Sequence, residues 1–583
     1  MKYRTVVIDR DLCKPEKCNF VCISKCPINL SGQKCIFYDQ DNKKIIIDEN
    51  LCIACGICLK VCSFSAISIV NFPKPLEKPI HRFDFNGFDL YGLPFPIEGK
   101  ILGILGPNGI GKTSAIRILV KEIKPNFGEI GKEYGIEEIK KIYRGKEIQN
   151  YLEKIEKNEI KISYKPQRID LIPKIAKGKV KNFLEKFDER KIYKEILKDF
   201  DVEIEDKSIE ELSGGELQIF AITIAISKNA DVYFFDEPSN FLDIYQRMNL
   251  VKIFKKFLEN KTVIIIDHDI TFLDAICDYV QIFYGMPSVY GNVSSLYSSR
   301  VGINSFFEGF LKNENIKFRE KIVLDFGNRI EPKNEIILEF ENIRKRYDKF
   351  ELYVENGNIR KKEVIGVIGR NALGKSTFAN IISGKIDFEG YISKKIEISF
   401  KPQFIAKDFD GTVQEYLEKE KKINEKIINE IINPLGIQKL LLKNYKNLSG
   451  GETQIVEIAK CLMKDADLYI LDEPSAFLDI EQRLNLFKNL RRFIENNEKS
   501  FLIIDHDILF ISHISNRILL FDGIPGKKGF ARMYELKDGL NEFLKKTEIT
   551  FRVDKETKRP RINKIGSKAD REQKEKGIYF RVL

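Results

Sequence analysis

Five short motifs occur twice in this 583-residue chain, in the same order both times. Gly106-x4-Gly111-Lys112-Thr113 returns as Gly369-x4-Gly374-Lys375-Ser376, and Lys165-Pro166-Gln167 returns as Lys401-Pro402-Gln403. Leu212-Ser213-Gly214-Gly215-Glu216 is matched by Leu448-Ser449-Gly450-Gly451-Glu452, Asp236-Glu237-Pro238-Ser239 by Asp472-Glu473-Pro474-Ser475, and Asp267-His268-Asp269 by Asp505-His506-Asp507. Lys-Pro-Gln precedes Leu-Ser-Gly-Gly-Glu by 47 residues in both copies, and that motif precedes Asp-Glu by 24 in both. Repetition at this period predicts two copies of one α/β domain, each with a full set of site residues. One interval differs: the first glycine lies 59 residues before Lys-Pro-Gln in copy one and 32 in copy two. Copy one therefore holds an insertion, expected near 128–155. Its apolar spacing at Ile136, Ile139, Ile142, Ile148, Leu152 and Ile155 predicts two short amphipathic helices turned at Arg144-Gly145.

Each motif suits phosphate chemistry. A glycine-rich loop after an apolar strand lets backbone N–H groups close on phosphates, and the helix that follows adds its partial positive charge. Lys112 and Lys375 are expected to reach the β- and γ-phosphates, with Thr113 and Ser376 on Mg²⁺. The runs Val232–Phe235 and Leu468–Leu471 read as buried strands that deliver Asp236 and Asp472 to the metal, with Glu237 and Glu473 beside them to orient or deprotonate the attacking water. His268 and His506 are expected on the γ-phosphate. The full nucleotide set adds Gly106, Asn108, Gly109, Gly111, Ser114 and Gln167 in copy one, and Gly369, Asn371, Gly374, Thr377 and Gln403 in copy two. Aromatic candidates for an adenine platform are Phe83 or Phe88, and Tyr347 or Phe350.

The N-terminal region carries a different chemistry. Cys13, Cys18, Cys22 and Cys26 are followed by Cys52, Cys55, Cys58 and Cys62, and the second run has the spacing of a two-cluster ferredoxin, in which three thiolates hold one 4Fe–4S cube and the fourth reaches to the other. Eight thiolates predict two cubes. Structural zinc is the competing reading, since paired Cys-x2-Cys units also hold zinc. The first run is spaced 4-3-3, and Ser63 stands where a ferredoxin usually has proline. Cys35, Cys277 and Cys461 pair with nothing by spacing and are expected to be buried, inert thiols.

Neither a signal sequence nor an apolar run of membrane-spanning length is evident, so the expected location is cytoplasmic. The net charge is +11, and residues 551–583 contribute eleven Lys or Arg against five Asp or Glu. Such a tail suits a polyanion such as RNA, or a solvated face.

Leu-Ser-Gly-Gly-Glu running into a helix is the discriminating motif, and with it the chain resembles the ABC-type ATPases. The resemblance implies that Ser449, Gly450, Gly451 and Glu452 complete the site of copy one, while Ser213, Gly214, Gly215 and Glu216 complete that of copy two. With its ferredoxin-like head and single insertion, the chain resembles ABC subfamily E, the RNase L inhibitor family of ribosome recycling factors, over essentially its whole length. The run Tyr143–Tyr151, the segment Ser298–Asn304 and the tail Arg559–Lys564 carry that likeness. The implied architecture is a ferredoxin-like α+β domain at 1–72, a first ABC domain at 73–282, a hinge at 283–330, a second ABC domain at 331–522, and a second hinge with the basic tail at 523–583. The implied activity is ATP hydrolysis that splits ribosomes into subunits. Its implied partners are both ribosomal subunits with their rRNA, a release or rescue factor and translation initiation factors, with no membrane and a monomer whose two lobes pair internally. An ATP-gated electron donor and a transporter ATPase subunit are the alternatives. Departures are local: Arg370-Asn371-Ala372-Leu373 stands where the family has Pro-Asn-Gly-Ile, and Phe241 and Phe477 replace tyrosine.

Overall fold

The structure, a computed structural model, describes residues 4–10, 12–49, 51–71, 78–145, 148–323, 329–393, 396–554 and 556–581. Most of the Pro-rich stretch 73–79, which reads as a linker between the cysteine region and the first repeat, lies outside them, as do Lys146 and Glu147 of the insertion.

Strands with apolar residues on both faces can be central only in a sheet covered on both sides. Ile101–Leu105, Val232–Asp236 and Thr262–Ile266 are buried at every position and pair in parallel, Thr262–Ile266 lying between the other two. Ile162–Lys165 flanks Val232–Asp236, and Tyr279–Met286 flanks Ile101–Leu105. Lobe two repeats the order: Val364–Ile368, Ser500–Ile504, Leu468–Asp472 and Ile398–Lys401 run in parallel, with Arg517–Ile524 beyond. The repeated motifs thereby arrive together at the carboxyl ends of neighbouring strands, where open α/β sheets bind their ligands.

Two of the expected boundaries, at 282/283 and 522/523, fall within strands. Tyr279–Met286 runs through 283 and turns back into Tyr290–Val293, while Arg517–Ile524 runs through 523 and turns back into Lys528–Glu535. Each antiparallel hairpin extends its lobe's sheet, so the sheet ends later than the last repeated motif. Only then do the hinge helices Ser299–Glu308 and Leu536–Thr547 begin.

The insertion forms helices Ile136–Ile142 and Ile148–Glu156, with Gly145 at φ +76° between them. Ile139, Ile148, Leu152 and Ile155 are buried against lobe one, which leaves the turn at Arg144 exposed. The head has two antiparallel pairs, Arg4–Ile8 with Ile67–Asn71 and Ile36–Asp39 with Lys44–Ile47. It is fastened to lobe one by Asn86, whose side chain accepts from Ile47 N at 2.8 Å and donates to Ile47 O at 2.9 Å, and by Lys44 on Asp84 at 2.8 Å.

Candidate functional site

Both lobes carry one constellation. Gly111 (φ +92°) opens the helix Lys112–Leu119, and a Cβ there would come within 2.8 Å of the Phe88 ring, so only glycine fits. Lys112 Nζ donates to the carbonyls of Gly106 and Pro107, each at 2.8 Å, and Lys375 Nζ donates likewise to Gly369 and Arg370. Both ammonium groups are buried, which pushes their pKa down against the pull of nearby carboxylates.

Glu237 Oε1 accepts from Gln167 Nε2 at 2.8 Å and lies 3.5 Å from His268 Nε2. Glu473 Oε1 repeats this with Gln403 at 2.7 Å and His506 at 3.4 Å. Burial works to raise both carboxyls, yet the histidine rings, the loop lysines and the glutamines outweigh it and hold each at about 2. The two aspartates differ. Burial, with Glu237 beside it, pushes Asp236 up to about 7, and neither of its oxygens finds a hydrogen-bond partner of good geometry. Asp472 is also raised by burial, but its Oδ2 accepts from Ser376 Oγ at 2.7 Å. An orphaned carboxylate beside a threonine hydroxyl, in a site already rich in acceptors, has the donor set of a hard cation such as Mg²⁺.

Ser213 and Ser449 cap the helices Gly214–Ser227 and Gly450–Met463. Glu216 and Glu452 turn back to close the capping boxes, accepting from Ser213 N at 2.9 Å and Ser449 N at 2.8 Å. Their carboxylates therefore support the motif from behind. One cavity is lined by the loop Asn108–Ser114, Gln167, Glu237 and His268 of lobe one together with Ser449, Gly450 and Gly451 of lobe two. The lobes thus face each other head to tail.

The thiols of the head fall into two crossed groups. Cys22 is pushed up to about 12 by burial and by Cys18, Cys13 and Cys62; Cys58 is pushed up to about 11 by burial and by Cys52, Cys55 and Cys26. Cys62 joins the first run and Cys26 the second, the exchange a two-cluster ferredoxin makes. Among the described residues no three His, Cys, Asp or Glu side chains converge to suit a single ion.

The ABC transporter family matches residues 97–240 and 354–476, a possible Fer4-like domain of RNase L inhibitor matches 3–34, and a 4Fe–4S binding domain matches 45–68. An uncharacterized ABC transporter ATP-binding protein of Methanocaldococcus jannaschii is 45% identical, covering 99% of this chain and 98% of its own. A solved structure of ribosome-bound archaeal Pelota and ABCE1 contains a chain 42% identical, with a TM-score of 0.91, covering 100% of this chain and 99% of that one. Another, of archaeal ribosomal stalk protein aP1 with the archaeal ribosome recycling factor aABCE1, matches at 43% identity and a TM-score of 0.82 over 87% of this chain and 99% of that one. The chain belongs to the RNase L inhibitor family, ABC subfamily E. As a member it has tandem ATP-binding ABC lobes behind 4Fe–4S binding domains, and it is an ABC ATPase.

Several residues of this RNase L inhibitor family member escaped the motif reading. Asp479 Oδ2 accepts from Asn108 N at 2.9 Å across the lobe interface, and Asp243 Oδ2 accepts from Asn371 N at 2.8 Å. The signal was present: Phe-Leu-Asp-Ile-x-Gln-Arg is itself repeated, at 241–247 and 477–483. Lys165 and Lys401 served only as landmarks, yet they are buried and hold the Asp-Glu turns through the carbonyls of Asp236 (2.9 Å) and Asp472 (2.8 Å). Cys35, 1% exposed, lines a cavity with Cys26, Cys52, Cys55 and Cys58, which no spacing could reveal. Of the basic tail, Arg559 is buried and donates to Asn304 Oδ1 of the first hinge at 2.7 Å, while Arg561 pairs with Asp274 of lobe one at 2.5 Å. These arginines brace the lobes and are not free to meet a polyanion. Among the described residues no helix is long and apolar enough to cross a membrane. The electron-donor and transporter readings are not favoured.

Proposed function

We propose that this chain is an ATP-driven ribosome recycling factor whose two composite ATP sites close the lobes and, through lobe one, move the head. The observation that carries the reading is the pair of crossed contacts, Asn108 to Asp479 and Asn371 to Asp243, because each glycine loop is then seated only when the opposite lobe is in place. In the first site Lys112, Asn108, Gly109 and Gly111 cradle phosphate, Ser449 and Gly451 cap it from the other lobe, and Gln167 and His268 hold Glu237 toward the attacking water. The histidine, the loop lysine and the glutamine keep each glutamate ionised, so Glu237 and Glu473 can orient that water and take its proton. Thr113 with Asp236, and Ser376 with Asp472, would hold Mg²⁺, which when bound neutralises phosphate charge. The exposed rings Phe83 and Tyr347 suit an adenine, whereas Phe88 and Phe350 pack beneath the loop glycines.

Cys13, Cys18, Cys22 and Cys62 would hold one 4Fe–4S cube and Cys26, Cys52, Cys55 and Cys58 the other. Thiols spread around two small volumes, rather than gathered on one point, speak for cubes over zinc. Clusters would stiffen a head whose own core is small. Asn86 and Asp84 tie that head to lobe one, so closure moves it as a rigid wedge between the ribosomal subunits. The likeness to chains solved with Pelota, with the ribosome and with a stalk protein supports a rescue or release factor and both subunits as partners, in the cytoplasm. Arg144, exposed at the insertion's turn, is a candidate rRNA contact.

The test is direct. Cluster-loaded protein with ATP should convert whole ribosomes to subunits on a sucrose gradient, and protein lacking residues 1–72 should bind ATP without splitting them. Splitting at full rate without the head would overturn the wedge and restore the redox reading. Anaerobically purified protein should hold about eight iron per chain; two zinc and no visible absorbance would remove the clusters.

A further inference from the structure

The two composite sites are assembled from the same motifs but fastened differently. Arg370 of the second glycine loop crosses to lobe one. Its Nη1 donates to Asp201 Oδ2 at 2.7 Å, its Nη2 donates to the Asp201 carbonyl at 3.3 Å, and its guanidinium lies 4.6 Å from the centroid of the Tyr245 ring. A guanidinium held on an acid and a carbonyl while stacked on a ring is fixed in both direction and plane. The loop feels this directly, since the Arg370 carbonyl accepts from Lys375 Nζ and the next residue donates its N–H to Asp243.

None of the three partners exists at the first site. Pro107 stands in place of the arginine and Glu481 in place of Tyr245. At the spacing the two copies share, Asp201 (φ +56°) aligns with the buried, apolar Ile437, and the left-handed residue beside it is Gly436 (φ +72°), without a side chain. Glu481 turns away to Arg319, at 3.1 Å, on the hinge segment that follows the helix Ser299–Glu308.

We infer that Arg370, Asp201 and Tyr245 form a latch across the second composite site alone, which slows its opening and makes it the longer-lived of the two closures. The inference rests on the composite-site reading above. Arg370 is thereby a positioning residue: it holds the loop that carries Lys375 against lobe one, and touches lobe one through its own side chain.

The test uses full-length, cluster-loaded protein and labelled ATP retained after a chase with unlabelled ATP. Glu473→Gln should trap nucleotide in the second site and Glu237→Gln in the first. Asp201→Asn keeps a residue that tolerates the left-handed conformation, so the fold is preserved. In the Glu473→Gln background it should shorten retention about three- to tenfold, more at low salt than at high; in the Glu237→Gln background retention should not change. Arg370→Pro, copying residue 107, should act in the same direction, and the double variant should lose no more than the larger single effect, because both changes remove one pair. Unchanged retention in the Glu473→Gln background, equal shortening in both backgrounds, or fully additive effects would overturn the latch while leaving the composite sites standing. If neither glutamine variant retains ATP, the composite-site reading itself falls, and the latch with it.

Discussion

The first and second sites share every repeated motif, yet differ in what surrounds them. At the first, neither Asp236 oxygen has a hydrogen-bond partner of good geometry, the loop carries Pro107 and a left-handed Gly109 (φ +72°), and the neighbouring Glu481 is tied to Arg319. At the second, Asp472 already accepts from Ser376, Arg370 reaches across the lobes, and the left-handed position is filled by Ala372 (φ +58°). Duplication has kept the groups proposed to face phosphate and water, whose geometry the chemistry dictates. The residues proposed to govern how easily each loop parts from the opposite lobe have diverged. Equal chemistry in unequal mechanical settings is what a cycle needs if its two closures are to differ in lifetime.

The largest test of that comparison removes the acid. Glu237→Gln and Glu473→Gln should each lower single-turnover hydrolysis at their own site by about a hundredfold or more, read by quench-flow with labelled ATP. A double variant that hydrolyses at the parental rate would break the shared half of the comparison. Next in size are the crossed contacts. Asp479→Asn and Asp243→Asn keep a helix cap but present an amide to the facing N–H, and each should weaken ATP binding about three- to tenfold by equilibrium titration. The loss should be greater for Asp479, since the second site keeps its Arg370 contact.

A third test concerns pH and should find the sites alike. Both glutamates sit at about 2 in the folded chain, below the 4.5 of the free group, so each adds stability above pH 4.5 that is lost as pH falls toward 2. Between pH 5 and 3 the melting temperature of either Gln variant should therefore fall less than the parent's, and neither glutamate should produce an acid limb in the hydrolysis profile above about pH 3. The smallest effect is in the backbone. Ala372→Gly should relieve left-handed strain of about 1 kcal/mol, and Gly109→Ala should introduce the same amount, both measurable by thermal unfolding. No change at either position would remove the loop strain from the list of differences.

In the head, Cys58→Ser should lower iron content, whereas Cys35→Ala should leave iron in place. Because Cys35 is buried among four other thiols, its truncation should still cost about 1 kcal/mol of stability, which the reading of an inert thiol did not anticipate.

The sequence by itself determined the architecture and the chemistry. A motif that must meet phosphate tolerates few substitutions and keeps a fixed distance from its companions, so Lys112, Glu237 and their counterparts stood out by spacing as site candidates, as did the eight thiols as ligand candidates and the two helices of the insertion, whereas the assignment of Ser449 and Ser213 to the opposite sites came from the resemblance to ABC-type ATPases. Sheet limits were not legible, because the hairpins Tyr279–Val293 and Arg517–Glu535 contain no phosphate-binding residue and so no repeated mark. Only the tertiary structure decided which residues meet across the lobes. Asp201 and Arg370 are 169 positions apart, and Arg559 and Asn304 are 255 apart. No local pattern constrains such pairs, since a carboxylate and a guanidinium need only arrive at the same place, and where they arrive is set by the packing of the two lobes and the hinges between them.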